Sequence, residues 1–134
     1  TSATARDVNH RLVVNRFKVH GISLNGVNAI NNAVTGNFIG TDVTGSVDLG
    51  NIVDGILVTS GASNNTIGGT TPGDRNVISG NDSDGIELST STTTGNLIVG
   101  NYIGRSILAT RPKGFSPRMR AISRLAGRVS ALAI

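Results

Sequence analysis

The 134-residue sequence has no cysteine, no tryptophan and only three prolines. The missing cysteines exclude disulfides and thiolate metal sites. Its aromatics are Phe17, Phe38, Phe115 and Tyr102 alone, which excludes a core built on rings. Any interior must be filled by Ile, Val and Leu. No run approaches the ~20 apolar residues that a membrane-spanning helix requires. A signal peptide is not visible in this chain. Charge of one sign is also missing locally. Residues 1–104 carry five cations against eight acids, a net of −3, whereas residues 105–134 carry seven cations and no acid. The first segment therefore lacks the basic footprint of a nucleic-acid binder.

Glycine and asparagine are abundant instead, at 18 and 14 residues. Both punctuate tight turns. Between them the chain repeats itself. The word Gly-Ile-x-(Leu/Val) begins at Gly21, Gly55 and Gly85, with steps of 34 and 30 residues. A second word, Gly-Asn-(Phe/Tyr)-Ile-Gly, occurs at 36–40 and 100–104, a step of 64 that equals the two shorter steps together. Residues 11–40 laid on 75–104 share 10 identities in 30. Two independent words with one common offset mark a tandem repeat.

Each unit holds three short, β-branched bursts bounded by Gly, Asn, Asp, Ser or Thr, which is strand chemistry. One such unit cannot bury its own apolar face, so units must stack with parallel strands ~4.8 Å apart. Side-chain alternation predicts Ile22, Leu24, Ile56, Val58, Ile86 and Leu88 inside, joined by Val34, Ile67, Ile98, Ile39, Ile78 and Ile103. Ser23, Leu57 and Glu87 point outward. Asn37 and Asn101 fall at equivalent turns, where asparagines either stack in a hydrogen-bonded ladder or merely form the turn. The fold class is all-β: a parallel β-helix of about three coils of three short strands over 1–104.

The words Gly36-Asn-Phe-Ile-Gly-Thr-Asp-Val-Thr-Gly45, Asn65-Thr-Ile-Gly-Gly69, Arg75-Asn-Val-Ile-Ser-Gly-Asn81 and Gly100-Asn-Tyr-Ile-Gly104 resemble the repeats of right-handed parallel β-helix proteins of the pectate-lyase-like superfamily. The resemblance covers roughly residues 11–104. It implies a right-handed coil, and a larger bacterial secreted or cell-surface parent chain that supplies neighbouring coils. It does not single out an activity, because the superfamily spans pectin lyases, polygalacturonases, epimerases, phage tailspikes and large surface proteins.

Repeat character stops at residue 104. Residues 105–134 form a basic, non-repeat tail. Ser116-Pro117 is a fair helix start. Met119, Ile122, Leu125, Val129 and Leu132 follow at helical steps, predicting a C-terminal capping helix over 116–134. The competing expectation is an out-of-frame segment, in which a one-base shift exchanges acidic, glycine-rich codons for arginine-rich ones.

His20, Asp54 and Asp84 each precede the repeat glycine and, in register, form one column. Asp54 and Asp84 then lie about one strand spacing apart, near ~5 Å, with Glu87 beside them. Such carboxylates can share a proton, hold Ca²⁺ or act as an acid and nucleophile on a sugar. Asp54, Asp84 and Glu87 are the catalytic candidates, against an ordinary Asp-Gly turn. Asp42, Asp48 and Asp54 are the weak Ca²⁺ candidates around the loop 41–51. The Ser89–Thr94 stretch reads as an exposed loop.

Polygalacturonases carry an Asn-Thr-Asp-Gly word of which Ser83-Asp84-Gly85 matches only the end. Their Asp-Asp, Gly-His-Gly and Arg-Ile-Lys words are absent. Superfamily lyases need a base beside Ca²⁺, for which Arg75 serves only if it faces the Asp column. The expectation is therefore a non-catalytic, extracellular or cell-surface module, structural, adhesive or glycan-binding. The alternative is a fragment of a polysaccharide lyase or hydrolase. Polysaccharide is the expected partner, with no nucleic acid and no transmembrane segment.

Overall fold

A computed structural model describes residues 11–104 together with the strands at 122–125 and 129–132. In chain order the strands are β1 (Val13–Val14), β2 (Ile22–Asn25), β3 (Ala33–Val34), β4 (Phe38–Ile39), β5 (Ile56–Thr59), β6 (Thr66–Gly68), β7 (Val77–Ser79), β8 (Ile86–Leu88), β9 (Asn96–Val99), β10 (Tyr102–Gly104), β11 (Ile122–Leu125) and β12 (Val129–Leu132). Each strand is too short to stand alone. They form three parallel sheets, β1-β4-β7-β10, β2-β5-β8-β11 and β3-β6-β9-β12. Every strand pairs with the one three places on. The chain thus circuits three sheets and lays each circuit on the last, an arrangement compatible with a β-helix.

The register places like on like. Ile22 pairs with Ile56 and Ile56 with Ile86, while Leu24, Val58 and Leu88 form the file beside them. Ser23, Leu57 and Glu87 share the intervening outward file. Ile56, Val58, Ile67, Ile78, Ile86, Leu88, Ile98 and Ile39 are fully buried. Ile22, Leu24 and Ile103 are only partly so, because they belong to the first and last of the three full coils. Burial thus follows the number of covering neighbours as well as the residue type.

The 64-residue echo has a structural cause. Along the file Val14, Ile39, Ile78 and Ile103 the steps are 25, 39 and 25 residues. The long middle coil carries two insertions, a loop after β4 and a 3-10 turn at Pro72–Asp74 before β7. Two coils together therefore span 64. The first insertion doubles back through an antiparallel bridge between Thr41 and Asp48. It then lies on the sheet's outer face, where a Cβ added to Gly45 would meet the Phe38 ring at 3.3 Å and Val77 at 3.5 Å. Phe38, whose side chain alternation turns outward, is buried for that reason.

The repeat glycine also has a physical reason. A Cβ on Gly55 would sit 2.6 Å from the Gly85 carbonyl oxygen, since neighbouring coils approach backbone to backbone there. Gly21 and Gly55 donate their N–H groups to the Asp54 and Asp84 carbonyls at 3.0 and 2.8 Å.

The predicted capping helix is corrected. Ile122 and Leu125 lie in a strand paired with β8, and Val129 and Leu132 in one paired with β9. Open parallel edges leave backbone groups unpaired, and a strand satisfies them where a helix cannot. Ile122 and Leu125, three apart, face Ile86 and Leu88, two apart, so the helical spacing is absorbed as a register shift. Met119 lies outside the described residues. Among the described residues no helix is long and apolar enough to cross a membrane.

Candidate functional site

Asparagines occupy the corners between sheets and join the coils through side-chain ladders. In the first, Asn32 donates its backbone N–H and Nδ2 to Asn65 Oδ1 at 2.9 and 2.8 Å, and Asn65 repeats both bonds to Asn96 at 3.0 and 2.9 Å. The second runs from Asn37 through Asn76 to Asn101 in the same pattern. A third links Asn51 to Asn81, with Nδ2 to Oδ1 at 2.7 Å. The spare Nδ2 hydrogens of Asn65, Asn76, Asn96 and Asn101 go to the carbonyls of Ala29, Val34, Ala62 and Ile67. Amides buried in this way are stabilising only because nearly every donor and acceptor is matched. Asn37 and Asn101 do stack as a ladder, with Asn76 between them. The other two ladders were not anticipated, although the sequence carries their signal in the steps of 33 and 31 that separate Asn32, Asn65 and Asn96 and the step of 30 from Asn51 to Asn81.

The column before the repeat glycine is assembled across three coils. His20 Nδ1 stands 2.9 Å from Asp54 Oδ2, and the Asp84 N–H donates to Asp54 Oδ1 at 3.0 Å. The His20 contact has ion-pair distance without hydrogen-bond alignment. Asp54 and Asp84 are 0 % and 3 % exposed. Glu87, three residues after Asp84 in the middle of β8, is half-buried. Ligand oxygens of Asp54, Asp84 and Glu87 all lie within 4.8 Å of one another. Their hard oxygen donors are of the type that Ca²⁺ takes, although Ca²⁺ wants six to eight ligands and these residues supply three carboxylates.

The weak Ca²⁺ set is not brought together. Asp42 turns onto its own loop, accepting from the Thr44 hydroxyl at 2.8 Å and from the Ser46 and Val47 N–H groups at 3.1 Å each. Desolvation opposes its ionisation, but these donors, led by Thr44, outweigh it and hold the carboxyl below its ordinary value. Asp48 accepts from Gly50 N–H at 3.1 Å. Asp54 sits in the other column. Arg75 serves neither set: its Nη1 donates to the Tyr102 hydroxyl at 2.6 Å and its guanidinium lies 5.3 Å from that ring's centre. The Ser89–Thr94 loop is not wholly exposed, because Thr93 is buried and donates to the Ser89 carbonyl at 2.7 Å.

Comparison with protein-family models, with curated proteins and with solved structures finds no match to this chain.

Proposed function

We propose that the chain is a non-catalytic module of a right-handed parallel β-helix of the pectate-lyase-like superfamily, in a secreted or cell-surface protein where it serves as a rigid structural or adhesive element that engages glycan. The burial of its acids supports this reading. Asp54 and Asp84, which carry the chemistry a sugar-cleaving site would need, are closed off from any substrate of sugar size. The Asp54 carboxylate accepts from the backbone of a neighbouring coil, as the asparagine side chains do. The test is to incubate the purified chain with pectin, polygalacturonate and alginate, with and without Ca²⁺, and to follow unsaturated products and reducing ends. No product, together with saturable retention on a glycan array, is expected. Product that disappears in Asp84→Asn would overturn the reading.

A fragment of a polysaccharide lyase or hydrolase is the second reading. The gathering of Asp54, Asp84 and Glu87 within 4.8 Å favours it, being nearer the ~5 Å of a retaining carboxylate pair than the wider inverting arrangement.

A further inference from the structure

The first coil departs from the repeat at two corners. At the corner occupied by the buried Asn51 and Asn81 in the next coils, it carries Phe17. The equivalence is set by hydrogen bonds: Phe17 N–H donates to Asn51 Oδ1 at 3.0 Å, as Asn51 N–H donates to Asn81 Oδ1 at 3.2 Å. The Phe17 and Asn51 carbonyls likewise accept from Ile52 and Asp82. Phe17 is nonetheless 52 % exposed. At the corner of Asn37 the first coil carries Leu12, also exposed, whose carbonyl accepts the Phe38 N–H at 2.9 Å. A position where stacking asks for a buried amide but the chain displays an apolar side chain signals a use other than stacking.

Cations flank these residues. Arg16 and Lys18 bracket Phe17, Val19 follows, and all four are exposed. No Asp or Glu occurs between 11 and 40, whereas residues 41–104 hold Arg75 against seven acids. The strip is held in place from behind. Arg16 N–H donates to the Leu49 carbonyl at 3.1 Å, and the Phe17 and Val19 carbonyls accept from Ile52 and Val53 at 3.0 and 2.9 Å. Arg16 itself has φ of +59°, a conformation costly for a residue with a side chain and kept only where surrounding bonds impose it.

We propose that this corner of the first coil is a docking surface for an anionic lipid bilayer. Arg16 and Lys18 meet the headgroups, while Phe17, Val19 and Leu12 enter the boundary with the acyl chains. The aliphatic side chains decide for lipid over a hydrated polyanion: they gain from the apolar boundary and nothing from a sulfated glycan or nucleic acid. Charge complementarity supplies the rest, each cation near such a surface strengthening binding about five-fold, with the gain lost as salt screens it. The partner differs in class from the glycan of the preceding reading, so vesicle flotation and glycan retention are separate readouts.

The test uses the full chain and unilamellar vesicles of phosphatidylcholine with or without about a third phosphatidylglycerol, read by co-flotation. Because residues 105–134 add seven cations, variants of the first coil carry the decision. Binding to anionic vesicles is expected to fall at least about ten-fold in R16E/K18E and comparably in Phe17→Ser. The far-ultraviolet circular dichroism of both variants should be unchanged. A Phe17→Trp variant should show a blue-shifted emission on anionic vesicles alone. Binding unaltered by these variants would overturn the proposal and locate the contact elsewhere. So would heparin binding that depends on Phe17 in the absence of vesicle binding, or Phe17-dependent self-association by light scattering, which would make the corner an interface between copies.

Discussion

Removing one rung from the middle of an asparagine ladder should cost far more than removing one from its end. Asn65 makes four side-chain bonds: Oδ1 accepts from the Asn32 backbone and Nδ2, and Nδ2 donates to Ala29 O and Asn96 Oδ1. After Asn65→Ala, Asn96 Oδ1 keeps the Asn65 N–H and Ala29 O keeps the Ser63 N–H, so the acceptors survive. The stranded donors are the Asn32 N–H and amide, which are half-buried. At about 1 kcal/mol per bond plus part of a desolvation penalty, the loss is about 3–5 kcal/mol. Asn32→Ala removes the single bond to Asn65 and should cost about 1 kcal/mol. Urea denaturation followed by circular dichroism measures both. A domain of ordinary stability, about 5–15 kcal/mol, survives either change with a displaced midpoint. Asn65→Leu restores volume without polarity and should recover little. If Asn65→Ala costs no more than Asn32→Ala, or if Asn65→Leu rescues it, packing holds that corner and the ladder does not.

The apolar files should show the same dependence on position. Ile56→Ala, covered on both sides, is expected to lose about 2–5 kcal/mol, and Ile22→Ala, with one covering coil, roughly half as much in the same denaturation assay. Equal losses would mean that the first coil has another cover. Gly68, at φ +88°, points its missing Cβ at the Val99 carbonyl oxygen, whereas Gly73 has nothing within 4 Å. Gly68→Ala should therefore destabilise sharply while Gly73→Ala stays within about 0.5 kcal/mol of the parent. The Asp42 loop should be sensitive to acid. Its carboxyl is held low, so the order it confers is complete above the ordinary carboxylate range and lost as pH falls through the lowered folded value. Protection of the Ser46 and Val47 amides against exchange should follow that course and become pH-independent in Asp42→Asn. A carboxyl that titrates at or above the ordinary value would contradict the observed donors.

The repeat words determined the strand positions, the inward files and the register of Ile22 on Ile56 on Ile86. They did so because side-chain alternation and stacking leave one way to bury those residues. The column His20, Asp54 and Asp84 was legible for the same reason, since shared distance from a repeat glycine is shared position on the coil. Composition alone could not place the tail, where spacing of three and four is equally a helical stripe and a bulged strand. The unpaired edges of β8 and β9 decided between them. Nor could local sequence show that Asp54 would be sealed inside while Phe17, at an asparagine's corner, would stay outside. Burial depends on what the neighbouring coil lays over a residue, and only the assembled stack supplies that neighbour.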